Sequence, residues 1–311
     1  MRIERFAPVG AEAIAECVAL LRLINAQLSV QILPELGGGL ARFDWLARGE
    51  AVSLMRPAPE HPTDPNQLAC YPLLPWSNRI AEGGFFVEGR YVALSPNRDD
   101  EPFPIHGSGW QRAWDVRECS EHEALLELNE ARADGYTYRA TQRYTLHDEA
   151  LVVELSVTHT GPSTMPFGLG LHPFFLRHGA VVLHAPASQV WVNDGQTPLP
   201  VARVDVPEDW DFNQPLILPH EGLNHGFQPW MGDAVISWPT VGLQLHVETD
   251  VDTFVLYTPA DDEFFCFEPV DHPINAVHLP GGAAANGMTY LTPGTSLTRR
   301  FVFRVVDDDA L

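Results

Sequence analysis

The chain has 311 residues, with 19 arginines, no lysine and 41 acidic residues, which gives a net charge of −22. That charge would repel phosphate backbones and anionic lipid surfaces, so we expect neither nucleic acid nor a membrane as partner. The lack of lysine also excludes a Schiff-base nucleophile, a pyridoxal phosphate anchor and the lysine of a phosphate-binding loop.

The four cysteines favour buried, reduced thiols, because their spacing is irregular and contains no Cys-x-x-Cys pair of the kind that zinc and redox sites use. They are Cys17, Cys70, Cys119 and Cys266. No cleavage signature follows the apolar stretch near the N-terminus, and no apolar run reaches membrane-spanning length. We therefore expect a soluble, cytoplasmic protein.

The first predicted elements lie near the N-terminus. Residues 11–24 contain helix-favouring Ala, Glu and Leu, yet the turn-like Asn25-Ala26-Gln27 and the apolar run Leu28–Leu33 also suit a β-hairpin. We favour strands, beginning at about Cys17.

Three later segments alternate apolar and polar residues with period two, which is typical of strands with one buried face. They are Leu151–Val157, Leu243–Val247 and Leu297–Val305. The segment Tyr144–Leu146 precedes the first of them across a short turn, as in a hairpin. No other segment has a helical period of ten or more residues.

With 24 Gly and 27 Pro, the chain is expected to form many short strands joined by turns. Arg56–Asn66, Ser95–Pro104 and Leu279–Met288 are predicted to be long loops, where binding residues tend to lie. The predicted fold class is all-β, with residues 1–311 as a single domain.

Several familiar motifs are absent from the sequence. It contains no G-x-G-x-x-G, phosphate-binding loop, G-x-S-x-G or H-E-x-x-H, which argues against dinucleotide enzymes, P-loop NTPases, α/β-hydrolases and zincins. Four other segments instead carry polar residues within apolar, Gly- and Pro-rich sequence.

The first two of these segments hold an arginine and a histidine. Residues 71–80 read Tyr-Pro-Leu-Leu-Pro-Trp-Ser-Asn-Arg-Ile, and an arginine in such surroundings needs a carboxylate partner or a ligand oxygen. A structural ion pair is the favoured interpretation for Arg79 taken alone. His106 precedes two of the glycines in Ile-His-Gly-Ser-Gly-Trp, and a structural hydrogen-bonding role is equally plausible for it.

The other two segments hold His172 and Glu268. His172 is the only titratable group in Gly-Leu-Gly-Leu-His-Pro-Phe-Phe, and a core histidine with satisfied hydrogen bonds is a real alternative. Glu268 follows four apolar residues, and a carboxylate there is costly to bury without donors or a chemical task. Its structural alternative is a salt bridge to Arg79.

Taken in this order, the four segments resemble the aldose 1-epimerase (galactose mutarotase-like) family, and its less-characterised aldose-epimerase-like branch in particular. The resemblance extends from Gly37-Gly38-Gly39 to the C-terminal strand. It implies a large antiparallel β-sandwich with a sugar site in a cleft, and an isomerase that interconverts the α and β anomers of a free aldose.

The resemblance also implies roles for individual residues. Glu268 would be the general base that takes the proton from the C1 hydroxyl, and His172 the general acid that protonates the ring oxygen. His106 and Arg79 match family positions that bind the sugar. With ordinary pKa values of about 4.3 and about 6.5, an ionised Glu and a partly protonated His suit these tasks at neutral pH. Neither a metal nor an organic cofactor is required.

Further sugar contacts are expected at Asn224, Asn78 and Trp76. Where the family usually carries Asp-His, this chain has Asn224-His225, and an amide both donates and accepts hydrogen bonds without carrying a charge. Trp76 and Trp230 are the tryptophans nearest to the motifs, although core packing is favoured for most of the eight.

Three alternatives stay open from sequence. The protein could be a non-catalytic sugar-binding protein, or an epimerase acting on a sugar phosphate, with Arg98 or Arg112 as phosphate ligands. It could also be a cupin-like metal enzyme using some of His106, His172, His225, His272 and Glu268. We expect a monomer or homodimer that binds a small sugar.

Overall fold

The structure, a computed structural model, describes residues 20–46, 49–260 and 262–307, and antiparallel sheets dominate it. The larger sheet has eleven strands. In spatial order they are β1 (Leu21–Ile24), β2 (Leu28–Leu33), β3 (Gly39–Trp45), β5 (Cys70–Leu73), β13 (Gly170–Leu176), β22 (Phe264–Val270), β21 (Thr253–Tyr257), β18 (Asn224–Trp230), β15 (Ala187–Val192) and β16 (Ala202–Asp205), with β4 (Val52–Ser53) beside β3.

The second sheet has nine strands. In spatial order they are β17 (Leu216–Ile217), β14 (Val182–His184), β19 (Asp233–Trp238), β20 (Leu243–Thr249), β24 (Ser296–Asp307), β11 (Ala150–His159), β10 (Thr137–His147), β9 (Glu123–Ala131) and β8 (Asp115–Cys119). Two small sheets pair β6 (Gly84–Val87) with β7 (Arg90–Ala93), and β12 (Met165–Phe167) with β23 (Thr289–Leu291).

Helical structure in the described residues is confined to single turns. They are the 3₁₀ turns Pro65–Gln67, Gly109–Gln111, Glu208–Trp210 and Ala276–His278, and the α-helix α1 (Gly282–Ala285). The predicted loop Leu279–Met288 therefore contains a helical turn. None of the helices in the described parts of the chain is long and apolar enough to cross a membrane.

The predicted strands are confirmed. β1 and β2 form the N-terminal hairpin, with Ile24 opposite Ser29, while the predicted start at Cys17 lies outside the described residues. β10 and β11 form a long hairpin, and β20 and β24 pair in the same sheet. Cys70 and Cys266 are buried as expected, but Cys119 is exposed on β8.

The two large sheets pack face to face, as a β-sandwich requires. Phe175 on β13 contacts Phe303 on β24, with ring centroids 6.3 Å apart, and Trp238 on β19, at 6.4 Å. The indole N–H of Trp238 donates to the carbonyl oxygen of Leu176 across the same interface, at 2.7 Å. The apolar sides of the period-two strands thus build one shared core, and the all-β antiparallel sandwich predicted from sequence is confirmed.

The opposite face of the larger sheet carries a second, smaller apolar cluster. Because side chains alternate along a strand, β22 sends Phe265 and Phe267 into the main core and turns Cys266, Glu268 and Val270 to this other face. Glu268 therefore lies on the face that the second sheet does not cover.

Candidate active site

His172 and Glu268 meet because their strands are neighbours in register. β13 and β22 pair Gly170 with Val270 and Phe174 with Cys266, which sets His172 opposite Glu268 on the same face. The His172 Nε2 atom lies 3.4 Å from Glu268 Oε1. The structure thus brings together two residues that stand 96 positions apart in the sequence.

Burial changes the protonation expected of this pair from its ordinary pKa values. His172 is 8% exposed and Glu268 2% exposed. Burial raises the pKa of Glu268 to about 8, against the opposing charge of Arg79, and lowers the pKa of His172 to about 3. At neutral pH Glu268 is therefore protonated and His172 is neutral, so the exchangeable proton of the pair lies on Glu268.

Each partner keeps one buried atom without a hydrogen bond. Among the described residues, nothing bonds to His172 Nδ1 or to Glu268 Oε2. Unpaired buried polar atoms are rare and costly in folded proteins, and at functional sites they mark groups kept available for chemistry. This arrangement suits a pair that exchanges protons with a bound molecule.

Aromatic rings hold the imidazole of His172 in place. Tyr71 and Phe174 both pack against the ring, each with centroids 4.6 Å from it, and their own centroids are 5.9 Å apart. Trp110 extends the stack beyond Tyr71, at 5.1 Å, and the guanidinium of Arg56 covers the Phe174 ring at 4.1 Å. The ring of His172 therefore has a fixed plane and a largely apolar environment.

His106 is a neutral hydrogen-bond donor to the site. Its Nδ1 accepts the backbone N–H of Asn78 at 3.0 Å, so the proton of the neutral ring is on Nε2. Burial, with the neighbouring charges, lowers the pKa of His106 well below its ordinary value. The ring lies edge-on to His172, with centroids 5.2 Å apart.

Arg79 is paired with Glu101, which the sequence did not indicate. Nε of Arg79 donates to Glu101 Oε2 at 2.9 Å, Nη2 forms an ion-pair contact with the same oxygen at 2.6 Å, and Nη1 donates to Asn78 Oδ1 at 3.2 Å. The alternative of a direct salt bridge between Arg79 and Glu268 is therefore wrong. The only sequence signal for Glu101 is its place in the predicted loop Ser95–Pro104.

These groups surround a cavity of ≈ 330 Å³. Its volume is at the lower end of the range of about 300–1,000 Å³ typical of small-molecule pockets. Asn224 reaches the cavity because β18 pairs it with Tyr257, another wall residue, on β21. The wall consists of Asn66, Tyr71, Asn78, Arg79, Arg98, Asp100, Glu101, Ile105, His106, Trp110, His172, Phe174, Asn224, Tyr257 and Glu268.

Trp76 is not in this wall, so a sugar contact from its side chain is not supported. The indole is 1% exposed and packs in the main core against Tyr136, with ring centroids 5.2 Å apart. Trp230 is also a core residue, in contact with Phe254 and Phe267. The tryptophan that lines the cavity is Trp110, which belongs to the His-Gly-Ser-Gly-Trp segment.

The histidines considered as metal ligands are not gathered at one point. His272 accepts the Ser77 N–H at Nε2, at 3.1 Å, and its Nδ1 bonds to the Pro273 carbonyl at 2.9 Å. His225 packs against Trp210, with centroids 5.0 Å apart. Both ring nitrogens of His272 are therefore engaged elsewhere, whereas His225 Nδ1 is buried with no hydrogen-bond partner among the described residues.

Among the described residues, one group of three has ligand-type atoms close together. His172, Cys266 and Glu268 each offer one such atom, all within 4.8 Å of one another. Burial raises the pKa of the Cys266 thiol well above its ordinary value, so a metal would have to displace the thiol proton in order to bind there.

The charges at the cavity mouth are compensated. Arg98 bonds to both carboxylate oxygens of Asp100, at 2.8 Å each, and to Asp64 at 3.3 Å. Arg112 pairs with Glu130 at 3.0 Å and is not part of the wall. The mouth thus offers alternating charges to a ligand and not a cluster of cations.

The sequence matches the family model for aldose 1-epimerase over residues 19–304. It is 33% identical to the uncharacterised Escherichia coli (strain K12) protein YphB over 279 residues, which is 86% of this chain and 93% of that protein. It is 26% identical to the uncharacterised protein YihR of the same strain over 216 residues, 66% of this chain and 70% of YihR.

Solved structures agree in fold. An E. coli K12 protein described provisionally as an aldose 1-epimerase superposes with a TM-score of 0.85 at 31% identity, covering 93% of this chain and 99% of that one. A galactose 1-epimerase from Lactobacillus acidophilus NCFM superposes with a TM-score of 0.74 at 20% identity, covering 92% and 93%. At the lower identity, the likeness bears on the fold alone.

Proposed function

The chain belongs to the aldose 1-epimerase family, and we propose that it interconverts the α and β anomers of a free, unphosphorylated aldose. The single observation that carries this proposal is the pairing of His172 with Glu268, 3.4 Å apart at a cavity of sugar size. Ring opening needs one proton removed from the C1 hydroxyl and one delivered to the ring oxygen. A carboxyl and an imidazole that share one proton supply both functions.

The reaction begins with the proton on His172 and the carboxylate on Glu268. Glu268 takes the proton of the C1 hydroxyl while His172 donates its proton to the ring oxygen. The bond between C1 and the ring oxygen breaks, and a carbonyl forms at C1. After rotation about the C1–C2 bond, the reverse transfers close the ring on the other face, so protons and charge balance over the cycle.

The resting pair has its proton on Glu268 and not on His172, but both forms hold the same number of protons. Moving the proton across the pair therefore needs no exchange with solvent. The charge of Arg79 favours the carboxylate form of Glu268. Hydrogen bonds from the sugar hydroxyls to Glu268 Oε2 would favour it further.

The remaining wall residues bind and orient the sugar. The Nε2–H of His106 and the guanidinium of Arg79 donate to sugar oxygens and stabilise negative charge that develops at the ring oxygen. Asn224 donates and accepts through one amide, so it can bind a hydroxyl in either orientation. Trp110 and Tyr71 contribute apolar surface to the same wall.

An NMR exchange measurement across a panel of free aldoses tests this proposal. We expect accelerated α–β exchange for at least one aldose, and a loss of at least about 10³-fold in kcat for Glu268→Gln, which removes the base but keeps the shape. Glu127→Gln, at a partly buried ion-pair residue on β9 outside the cavity wall, is the matched control and should retain full activity. Sugar binding without exchange in the wild-type protein would contradict the proposal and support a binding protein.

The cavity charges disfavour a phosphorylated substrate. Arg79 and Arg98, the two arginines of the wall, are both paired with carboxylates, and Asp100 and Glu101 stand beside them. A phosphate group would meet these anions before it met a free cation. We therefore expect a lower kcat/KM for the 6-phosphate of any aldose that the protein accepts.

A further inference from the structure

We propose that Glu101 is a positioning residue that holds Arg79 at the cavity wall and prevents it from pairing with Glu268. This inference rests on the proposed epimerase function. In consequence Glu268 stays free to exchange a proton with the sugar, while Arg79 stays directed at sugar oxygens. The first support is geometric: Nε and Nη2 of Arg79 lie 2.9 and 2.6 Å from Glu101 Oε2.

Some N–H donors of the Arg79 guanidinium bond to neighbouring residues, and the others remain available to a ligand. The guanidinium has five N–H donors. Nε donates to Glu101 Oε2 and Nη1 donates to Asn78 Oδ1, while Nη2 forms an ion-pair contact with the same oxygen of Glu101. Donors on Nη1 and Nη2 remain for a ligand in the cavity. Because the guanidinium is a rigid fork, the bonds to Glu101 and Asn78 fix the direction of these donors.

Glu101 is itself fixed to the scaffold. Its Oε1 accepts the backbone N–H of Phe103 at 3.4 Å, and its side chain is 12% exposed. Asn97 ties the same loop down, because its amide bonds to Ile105 N and O at 2.8 Å each and to Gly107 O at 2.9 Å. The carboxylate is therefore presented to Arg79 by an ordered segment.

Without Glu101, the carboxyl of Glu268 in the same cavity wall is an available partner for the charge of Arg79. Among the described residues Glu268 Oε2 has no partner, and the charge of Arg79 already acts on that carboxyl, lowering its pKa against the effect of burial. An opposite charge that comes close to a carboxyl lowers its pKa by about 1–3 units. An Arg79–Glu268 ion pair would occupy the base and make it a weaker one.

The other titratable groups around Glu268 do not oppose this reasoning. Burial raises the pKa of the thiols and phenols, so they stay protonated near pH 7. It lowers the pKa of the histidines, so they stay neutral at that pH. These groups are Cys70 and Tyr71 on β5, His172 on β13, Tyr257 on β21, Cys266 on β22, and His106. Around the Arg79–Glu101 pair, Arg98 and Asp100 compensate each other.

The test is a pH titration of the Glu268 carboxyl by NMR in protein labelled with ¹³C at glutamate side chains, with its resonance assigned from Glu268→Gln. We expect Glu101→Gln to lower the titration midpoint by about one pH unit or more, and Glu101→Asp to restore part of that shift. Arg79→Gln should raise the midpoint, and the double variant should match Arg79→Gln alone. Glu127→Gln, remote from the cavity, should leave the midpoint unchanged.

Kinetics give the second measurement. In each variant, the pKa of the alkaline limb of the kcat/KM profile should shift in the same direction as the NMR midpoint. This limb reports the loss of the proton that His172 and Glu268 share in the free protein. An unchanged midpoint and limb in Glu101→Gln, with only KM raised, would overturn the inference and make Glu101 a simple sugar contact. If Glu101→Gln does not fold, the comparison of Glu101→Asp with Arg79→Gln still decides it.

The two measurements separate this inference from the proposed function. The NMR titration needs no turnover, so a shifted midpoint in a protein that exchanges no anomers would retain the positioning role and reject the epimerase. Anomer exchange with an unshifted midpoint would reject the positioning role alone.

Discussion

The burial of the Glu268 carboxyl makes the stability of the folded protein depend on pH. A carboxyl that is 2% exposed, with one oxygen unpartnered among the described residues, destabilises the folded state unless it keeps its proton. The folded protein holds that proton to about pH 8, while the unfolded chain releases it near the ordinary value of 4.5. The folded state therefore binds more protons than the unfolded state between these values, and stability falls as the pH rises through that window.

Glu268→Gln should accordingly stabilise the protein at alkaline pH while removing activity. Gln is neutral at every pH, so the variant does not lose stability across the window. With about 1.4 kcal/mol per pKa unit, we expect a gain in the free energy of unfolding of up to about 4 kcal/mol at pH 8 and almost none at pH 4.5. Urea unfolding at both pH values measures it, with Glu127→Gln as control. An equal effect at the two values would show that Glu268 does not titrate as described.

His172 and Glu268 can be singled out as candidates from the sequence because each is a polar residue inside an apolar run, in a family-specific order. Their protonation could not be predicted, since it depends on burial from strands distant in sequence. The partner of Arg79 was also unpredictable, because Glu101 comes from a loop whose path follows no periodic pattern. Trp76 was misplaced for a similar reason: proximity in sequence to Asn78 and Arg79 does not determine on which side of the backbone an indole lies.

At the scale of elements, the candidate site depends on five neighbouring strands, from β5 to β18 in the larger sheet, and on the loops beside them. β5, β13 and β22 supply Tyr71, His172 and Glu268 from one face, and the rigid sheet fixes their spacing. The loops supply further polar groups, including Asn66 and Glu101. A rigid scaffold with functional groups on its loops is a common division of tasks in proteins.

Substitution of Asn97 tests whether the loop that carries Glu101 contributes to sugar binding. The amide of Asn97 ties this loop to the Ile105–Gly107 segment that carries His106. Asn97→Ala removes these bonds, so we expect KM to rise about 5- to 10-fold, with a smaller change in kcat and faster hydrogen exchange in residues 95–104. Asn129→Ala, an exposed amide on β9 that donates to Glu127, is the control. A loss confined to kcat would argue that the loop acts in the chemical step instead.

The longer strands were predictable and the shortest were not. β11, β20 and β24 have seven residues or more, and buried positions alternate with less buried ones over much of each strand, which sequence periodicity detects. Strands such as β4 and β17 have two residues, and only pairing with a distant segment makes them strands. The helical turn α1 has the same character, since four residues cannot show a helical period.

For the whole molecule, the shared core links the stability of the site to the second sheet. β24 lies between β20 and β11 in that sheet, and it is the last described strand of the chain. Its Phe303 is fully buried and meets Phe175 of β13, the strand that carries His172. A defect in β24 should therefore reach the site through direct packing.

Phe303→Ala tests whether the chain unfolds as a single domain. Truncating a fully buried phenylalanine costs about 3–5 kcal/mol, and because both sheets use the same core, we expect one cooperative transition with a lower midpoint. Tryptophan fluorescence, far-UV circular dichroism and anomer exchange should be lost together as urea is added. Thr298→Ala, on the exposed side of the same strand, should change the free energy of unfolding by no more than about 0.5 kcal/mol. Two separate transitions, with the site lost in only one of them, would mean that the sheets fold as independent units despite the contacts that join them.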